Sequence, residues 1–235
     1  MWTYRAKYAK LGHVRFISHL DVMRALMRAL NRSGIPVAYS EGFNPHQKLS
    51  MGPALPLGYE SKCELADVML SQALPLHEFR ERLSASMPKG LDLLETGRVL
   101  SSSVRLCDAS SACYVIRLDG EAISENVNAL VKKFLEKDAV LIERVRKEES
   151  SVVNIRQFVA DLAEEAGQDF RWLRVEITMG GQGTCNASEV AQAVLNLPPE
   201  RAKCLRIVRT DIKFGGRSLQ VKTNEEIPEE DNFKK

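Results

Sequence analysis

Three side chains in the first quarter of the chain could move protons beside a polyanion: His19 in "ISHLD", and His46 and Lys48 in "EGFNPHQK". Two imidazoles can act as acid and base while an ammonium stabilises charge growing on a phosphate, a set sufficient for metal-independent RNA cleavage. His19 and His46 are therefore the candidate catalytic residues, on the condition that the loop at 41–48 meets the start of the first helix. A structural reading stands beside this one. His19 can tie a strand to a helix, Gly42, Pro45, Gly52, Pro53 and Gly58 can simply fix turns, and Phe43 can anchor a core. At the first helical turn free N–H groups and the helix dipole disfavour a protonated imidazole, so His19 reads as a neutral hydrogen-bonding group.

A second set is cationic. Residues 1–57 carry eight Lys/Arg against Asp21 and Glu41, with three of the four histidines, an asymmetry that points to a polyanionic partner. Arg24, Arg28 and Arg32 recur at i, i+4 and i+8 and stack along one side of a helix. Such a ridge can track phosphates through guanidinium forks, or be a solvated face with buried stems. In the binding reading, Arg15, Arg24, Arg28 and Lys48 hold phosphates, Phe43 stacks a base, Asn44 and His46 read or orient it, and His19 is a further nucleic-acid-binding residue. Gly180, Gly181 and Gly183 of "MGGQGTCNASE" form a second candidate loop, able to bring backbone N–H groups to a polynucleotide, although neither nucleotide fingerprint is complete.

Those residues need elements to position them. Alternation in "YRAKYAK" predicts a strand over 4–10. "HLDVMRALMRALNRSG" predicts a helix over 19–34 with Leu20, Met23, Leu26, Met27 and Leu30 on its apolar face, Ser18 as N-cap and Gly34 as stop. Strands over 36–40, 59–70 and 91–100 and a helix over 75–90 complete a β-α-β-β-α-β order. A Ser-rich linker at 101–111 separates residues 1–100 from a second unit at 112–222. There strands are expected at 112–120, 139–147, 171–179 and 205–214, and helices at 124–138, 154–167 and 186–197. Residues 223–235 read as a polar, disordered tail. The expected fold class is α+β: two tandem ferredoxin-like (βαββαβ) domains, antiparallel sheets with helices on one face, whose open faces look across a cleft at an extended ligand such as single-stranded RNA.

Composition sets the outer limits. The chain has 235 residues, 44% hydrophobic and 27% charged, with a net charge of +2. No apolar run approaches the length of a membrane span and no secretory signal opens the chain, so a cytoplasmic protein without membrane contact is expected. Five cysteines without CxxC or CxxH spacing predict free thiols, no metal site and no cofactor.

"KLGHVRFISHLDVMRALMRAL" followed by "SEGFNPHQKLSMGPALPLGYES" resembles the radical-SAM-linked family of unknown function. Lys10, Gly12, Arg15, Phe16, Ser18, His19, Leu20, Asp21, Arg24, Glu41, Gly42, Phe43, Asn44, Pro45, His46 and Lys48 carry the resemblance. It implies RNA- or translation-linked work beside a radical-SAM enzyme, whose CxxxCxxC motif this chain lacks. The leading expectation is an RNA-binding accessory protein, non-catalytic on its own, that presents RNA to a radical-SAM or other RNA-modifying or processing enzyme. The alternatives are an endoribonuclease using His19 and His46, and an adaptor that docks a radical-SAM enzyme.

Overall fold

The computed structural model describes residues 2–100, 103–118, 126–146, 149–166, 170–180, 183–219 and 221. Strand β1 (Trp2–Lys10) buries Tyr4, Ala6 and Tyr8 beneath two helices. Helix α1 (His19–Ser33) begins where the Ser18 hydroxyl accepts the Asp21 N–H at 3.1 Å and donates to the Asp21 carboxylate at 2.7 Å. It ends at Gly34, whose φ of 65° is the left-handed conformation that glycine adopts without a Cβ penalty. Strands β2 (Leu49–Met51) and β3 (Glu60–Leu70), helix α2 (Leu76–Ser86) and strand β4 (Leu91–Arg98) follow. β1 lies antiparallel between β3 and β4, and β2 pairs with β3, giving the order β4-β1-β3-β2.

The second half runs β5 (Ala109–Leu118), α3 (Val127–Leu135), a hairpin of β6 (Leu141–Arg146) and β7 (Glu149–Asn154), then β8 (Val159–Ala166) and β9 (Arg171–Thr178). Helices α4 (Ala187–Leu195) and α5 (Pro199–Cys204) lead to β10 (Ile207–Phe214) and the short β11 (Arg217–Ser218). Its main strands lie in the order β10-β5-β9-β8. Leaving the β6–β7 hairpin aside, both halves place their successive strands as fourth, first, third, second.

A parallel contact between β3 and β10, Glu60 opposite Val208 and Ser61 opposite Arg209, joins the halves into one nine-stranded, mostly antiparallel sheet. The fold is therefore mixed α+β, and the two sheets do not face each other across a cleft. The face of β3 and β10 turned away from the helices is also covered at its centre: Cys63, Leu65, Ile212 and Phe214 are buried with Leu106, and Leu219 and Val221 pack on them. Arg5 reinforces that cover, binding Asp67 through two hydrogen bonds and the Val104 carbonyl at 2.8 Å.

Three sequence expectations need correction. Residues 36–40 form isolated bridges, Val37 with Leu70 and Tyr39 with Gln47, and the strand at this place is β2, which pairs antiparallel with β3 and is held there at its end by the Gly52 N–H donating to the Leu65 carbonyl at 2.8 Å. The helix expected over 154–167 is a 3-10 turn at Arg156–Phe158 followed by β8; Val159 and Leu162 are buried and pair with β9, so sheet pairing overrides the helical period. The expected linker is partly structured, with a 3-10 turn at Leu106–Asp108 and β5 starting at Ala109. The tail at 223–235 lies outside the described residues.

Candidate functional site

The segment 10–21 divides by chemistry. Lys10 is buried, and its ammonium donates to the Ile17 carbonyl at 2.9 Å and the Arg15 carbonyl at 3.5 Å, holding the 3-10 turn Gly12–Phe16 closed over β1. Burial, the largest effect, pulls its pKa below the ordinary lysine value. Gly12, at φ 67°, donates its N–H to the Glu60 carboxylate at 2.8 Å, and Glu60 also accepts from Arg206 Nε at 2.9 Å. Burial alone would raise the Glu60 pKa, but the Gly12 N–H and Arg206 outweigh it and hold the carboxyl below its usual value. From below, Gly90 accepts the Leu11 N–H at 2.9 Å; a Cβ there would stand 3.0 Å from the Leu11 carbonyl and 3.0 Å from Val14. Ser18 caps α1 and, with Arg24, holds the exposed Asp21 carboxyl below the usual carboxylate range.

Those residues shape the turn, and the others face outward. His13, Phe16 and Leu20 are exposed, Arg15 and His19 half-exposed. The Arg15 guanidinium lies 4.6 Å from the centre of the Phe16 ring. Phe16 is 59% exposed, Leu20 55% and Leu57 65%. Leu57 joins this group because the Gly58 N–H binds the Arg15 carbonyl at 2.9 Å. Leu20 thus corrects the expected apolar face of α1: the stripe that is buried is Val22, Leu26, Ala29 and Leu30, with Met23 and Met27 half-buried at its margin.

The loop at 41–48 is a small hairpin standing off the far end of α1. Ser40 N–H binds the His46 carbonyl at 2.8 Å, and the His46 N–H binds the Ser40 hydroxyl at 3.0 Å. Gln47, buried beneath it, donates its amide to Asn31 Oδ1 at 2.6 Å, anchoring the hairpin on the last turn of α1. Lys48 is held through its backbone by Ala38 and Met69. Glu41, Gly42, Phe43, Asn44, Pro45 and His46 are all exposed, Phe43 completely. Gly42, at φ 114°, supplies the turn that carries Phe43 out.

Between the two presenting segments runs the outer stripe of α1. Arg24 is exposed and paired with Asp21 at 3.0 Å, a contact of little worth in water. Arg28 is exposed and makes no side-chain hydrogen bond or ion pair among the described residues. Arg32 is committed to the fold through the Ser86 carbonyl at 2.7 Å, so the expected ridge offers two arginines rather than three. His19 opens α1 and Asn31, under the hairpin, nearly closes it. Twelve residues of helix separate them, about 18 Å. The structure therefore places His19 and His46 at opposite ends of α1.

The stretch after β2, 53–59, serves the interior. Leu55 and Tyr59 leave the first half and enter the core of the second, Tyr59 edge-on to Tyr114 with ring centres 6.1 Å apart. The Tyr59 hydroxyl accepts the Ser188 N–H at 2.8 Å, and burial pushes its pKa above the ordinary tyrosine value. Arg209 of β10, wholly buried, reaches back to the Pro53 carbonyl at 2.8 Å and to Glu64 of β3 at 2.5 Å. Burial opposes the Arg209 charge, but the Glu64 carboxylate outweighs it and raises the guanidinium pKa.

The glycine-rich loop lines a hollow of about 260 Å³ at the seam, where Met179 and Gly180 meet Met51, Gly52, Pro53 and Leu106. Its helix offers nothing to a phosphate: the Glu189 carboxylate occupies the α4 N-terminus, accepting the Asn186 N–H at 2.8 Å and both arms of Arg144 at 2.7 Å. Gly183 closes a turn onto the Gly180 carbonyl at 3.2 Å, and Gly181 lies outside the described residues. Among the described residues no group of three His, Cys, Asp or Glu side chains could hold a metal ion, and no helix is long and apolar enough to cross a membrane. All five cysteines are free. The sequence motifs give Phe16, Leu20 and Leu57 no binding role, although a period anchored on Val22 and Leu26 leaves Leu20 outside the buried stripe.

Comparison with known proteins gives a family without a function. A family model described as "Uncharacterized protein conserved in bacteria (DUF2344)" matches residues 3–188. No curated protein matches. Among solved structures, a chain of "Crystal Structure of a Cbf5-Nop10-Gar1 Complex" is similar at a TM-score of 0.44 and 11% identity, covering 89% of this chain and 48% of that one. The present chain thus spans about half the length of that relative. "Crystal Structure of an Unknown Protein from Galdieria sulphuraria" is similar at a TM-score of 0.24 and 16% identity, covering 90% of this chain and 97% of the other. Both scores fall below the level at which a shared fold carries a functional argument.

Proposed function

The chain belongs to that uncharacterized bacterial family, and we propose that it is an RNA-binding accessory protein whose binding surface is the outer stripe of α1 with the presenting segments at its two ends. We read its two matching strand orders as tandem ferredoxin-like units fused edge to edge. The observation that carries the functional reading is Arg28: an exposed guanidinium without a partner among the described residues, set between Arg24 and Asn31 and flanked by exposed aromatics at either end. The fold uses neither Arg28 nor Phe43, whereas cations and stacking rings are what a polynucleotide needs. Acting on RNA then falls to a partner enzyme, a radical-SAM enzyme if the family resemblance extends to partnership, in the cytoplasm.

Binding of total cellular RNA at about 50 mM and about 200 mM salt tests this, because phosphate contacts release counterions. The expected result is binding that weakens steeply with salt and is reduced in Arg24→Ala/Arg28→Ala/Lys48→Ala. Affinity indifferent to salt and to the triple substitution overturns it. A second reading rests on Phe16, Leu20 and Leu57, whose joint exposure suits an adaptor that docks a protein. Nuclease-resistant capture of a partner enzyme, lost in Phe16→Ser/Leu57→Ser, would favour that reading. The separation of His19 from His46 gives the endoribonuclease reading no support.

A further inference from the structure

Deepening the RNA-binding reading, on which it rests, we propose that the ligand is a short single strand laid along α1, clamped by an aromatic contact at each end, and not a duplex or a strand spread over the sheet. Three observations converge. The sheet is a poor platform: around β3 and β10 its outer face is covered. On the second half its charges neutralise one another, Arg174 pairing with Asp161 and Glu165, and Lys213 with Glu176. The α1 stripe, in contrast, carries cations with weak commitments or none, Arg24 and Arg28, one helical turn apart on the same line.

The end pieces set the ligand's form. Phe43 stands wholly in water at the tip of its hairpin, while Phe16 is exposed on one side and faces Arg15 on another. Rings presented in this way can stack on unpaired bases, since paired bases are already stacked within the helix and turn only their edges outward. From Leu20, in the first turn of α1 and four residues after Phe16, to Asn31, beneath the Phe43 hairpin, is about 16 Å of helix. That span suits about four nucleotides, the scale of other compact single-strand clamps. Because both anchors act through ring faces, the site should tolerate sequence.

The test uses the full chain and fluorescence anisotropy with a labelled unstructured 12-nucleotide RNA, the same strand annealed to its complement, and single strands of two to eight nucleotides. Expected are a preference of about tenfold or more for the single strand, affinity rising with length to a plateau near four or five nucleotides, and a loss of about tenfold in Phe43→Ala with partial retention in Phe43→Tyr. Circular dichroism melting of each variant separates loss of binding from loss of fold. Equal or tighter binding of the duplex overturns the single-strand assignment while leaving RNA binding intact. Full affinity in both Phe43→Ala and Phe16→Ala removes the aromatic clamp. Absence of binding to every RNA form overturns this inference together with the reading beneath it.

Discussion

Residues 41–46 and 53–59 lie on either side of β2 in the stretch between α1 and β3, and both are written in glycine, proline and a bulky side chain. Phe43 ends fully exposed, whereas Leu55 and Tyr59 end in the core of the other half. The difference lies in what each stretch meets. The first is pinned only at its base, by Gln47 on Asn31, so its side chains are presented. The second is gripped along its length by the Arg209 guanidinium and the Ser188 N–H, so its side chains become core. Turn-forming residues thus specify that the backbone is shaped, while the surrounding donors decide whether a shaped loop is a surface or a strap.

The strap should fail hardest where its charge is held. Glu64→Ala leaves Arg209 buried without its carboxylate, and a loss of about 3–5 kcal/mol is expected from denaturant unfolding. Replacing both, as Glu64→Leu/Arg209→Met, should recover much of that loss; if the double variant is no better than the single one, the pair matters for something other than charge compensation. Leu55→Ala removes a side chain from the second half's core and should cost about 2–5 kcal/mol. A value near zero would mean that the strap lies on the core without filling it.

The support beneath the 3-10 turn gives a smaller, pH-dependent effect. Glu60 has a folded pKa below its ordinary value of 4.5, so its contribution is present above that value and disappears as pH falls through the folded pKa. Glu60→Gln should therefore melt below wild type at pH 7, with the gap closing as pH is taken down through and below about 4.5. A gap independent of pH would assign the effect to hydrogen-bond geometry rather than to charge.

Much of the first half was legible because its signals are local. Ser18, Asp21 and Gly34 bound α1 by capping chemistry that needs no distant partner; Phe43, by contrast, reads equally as a stacking ring or a core anchor, and only the hairpin based on Gln47 and Asn31 leaves it exposed. What was not legible depends on contacts far apart in sequence. Lys10 reads as one more surface cation until Ile17 and Arg15 turn their carbonyls onto it, and Arg209 reads as an alternating strand residue until Glu64, some 145 positions away, meets it in the seam. Likewise "VADLAEE" has an acceptable helical period, and only pairing with β9 makes it a strand. Spacing alone sets Arg32 in the cationic ridge; its commitment to Ser86 is tertiary.

Phe43→Ala sharpens the comparison from its other side, through an absence of effect on stability. An exposed aromatic that the fold does not pack contributes little to folding, so denaturant unfolding should change by no more than about 0.5 kcal/mol. Leu55→Ala, twelve positions later in the same stretch between α1 and β3, should change it several-fold more. If Phe43→Ala instead costs more than about 1 kcal/mol, the ring is packed in solution and the hairpin is a second strap, which would withdraw Phe43 as a stacking residue. If stability holds while RNA affinity falls, folding and presentation are separable within one loop, and Gly42 and Pro45 act by holding a ring in water that the protein's own core has no use for.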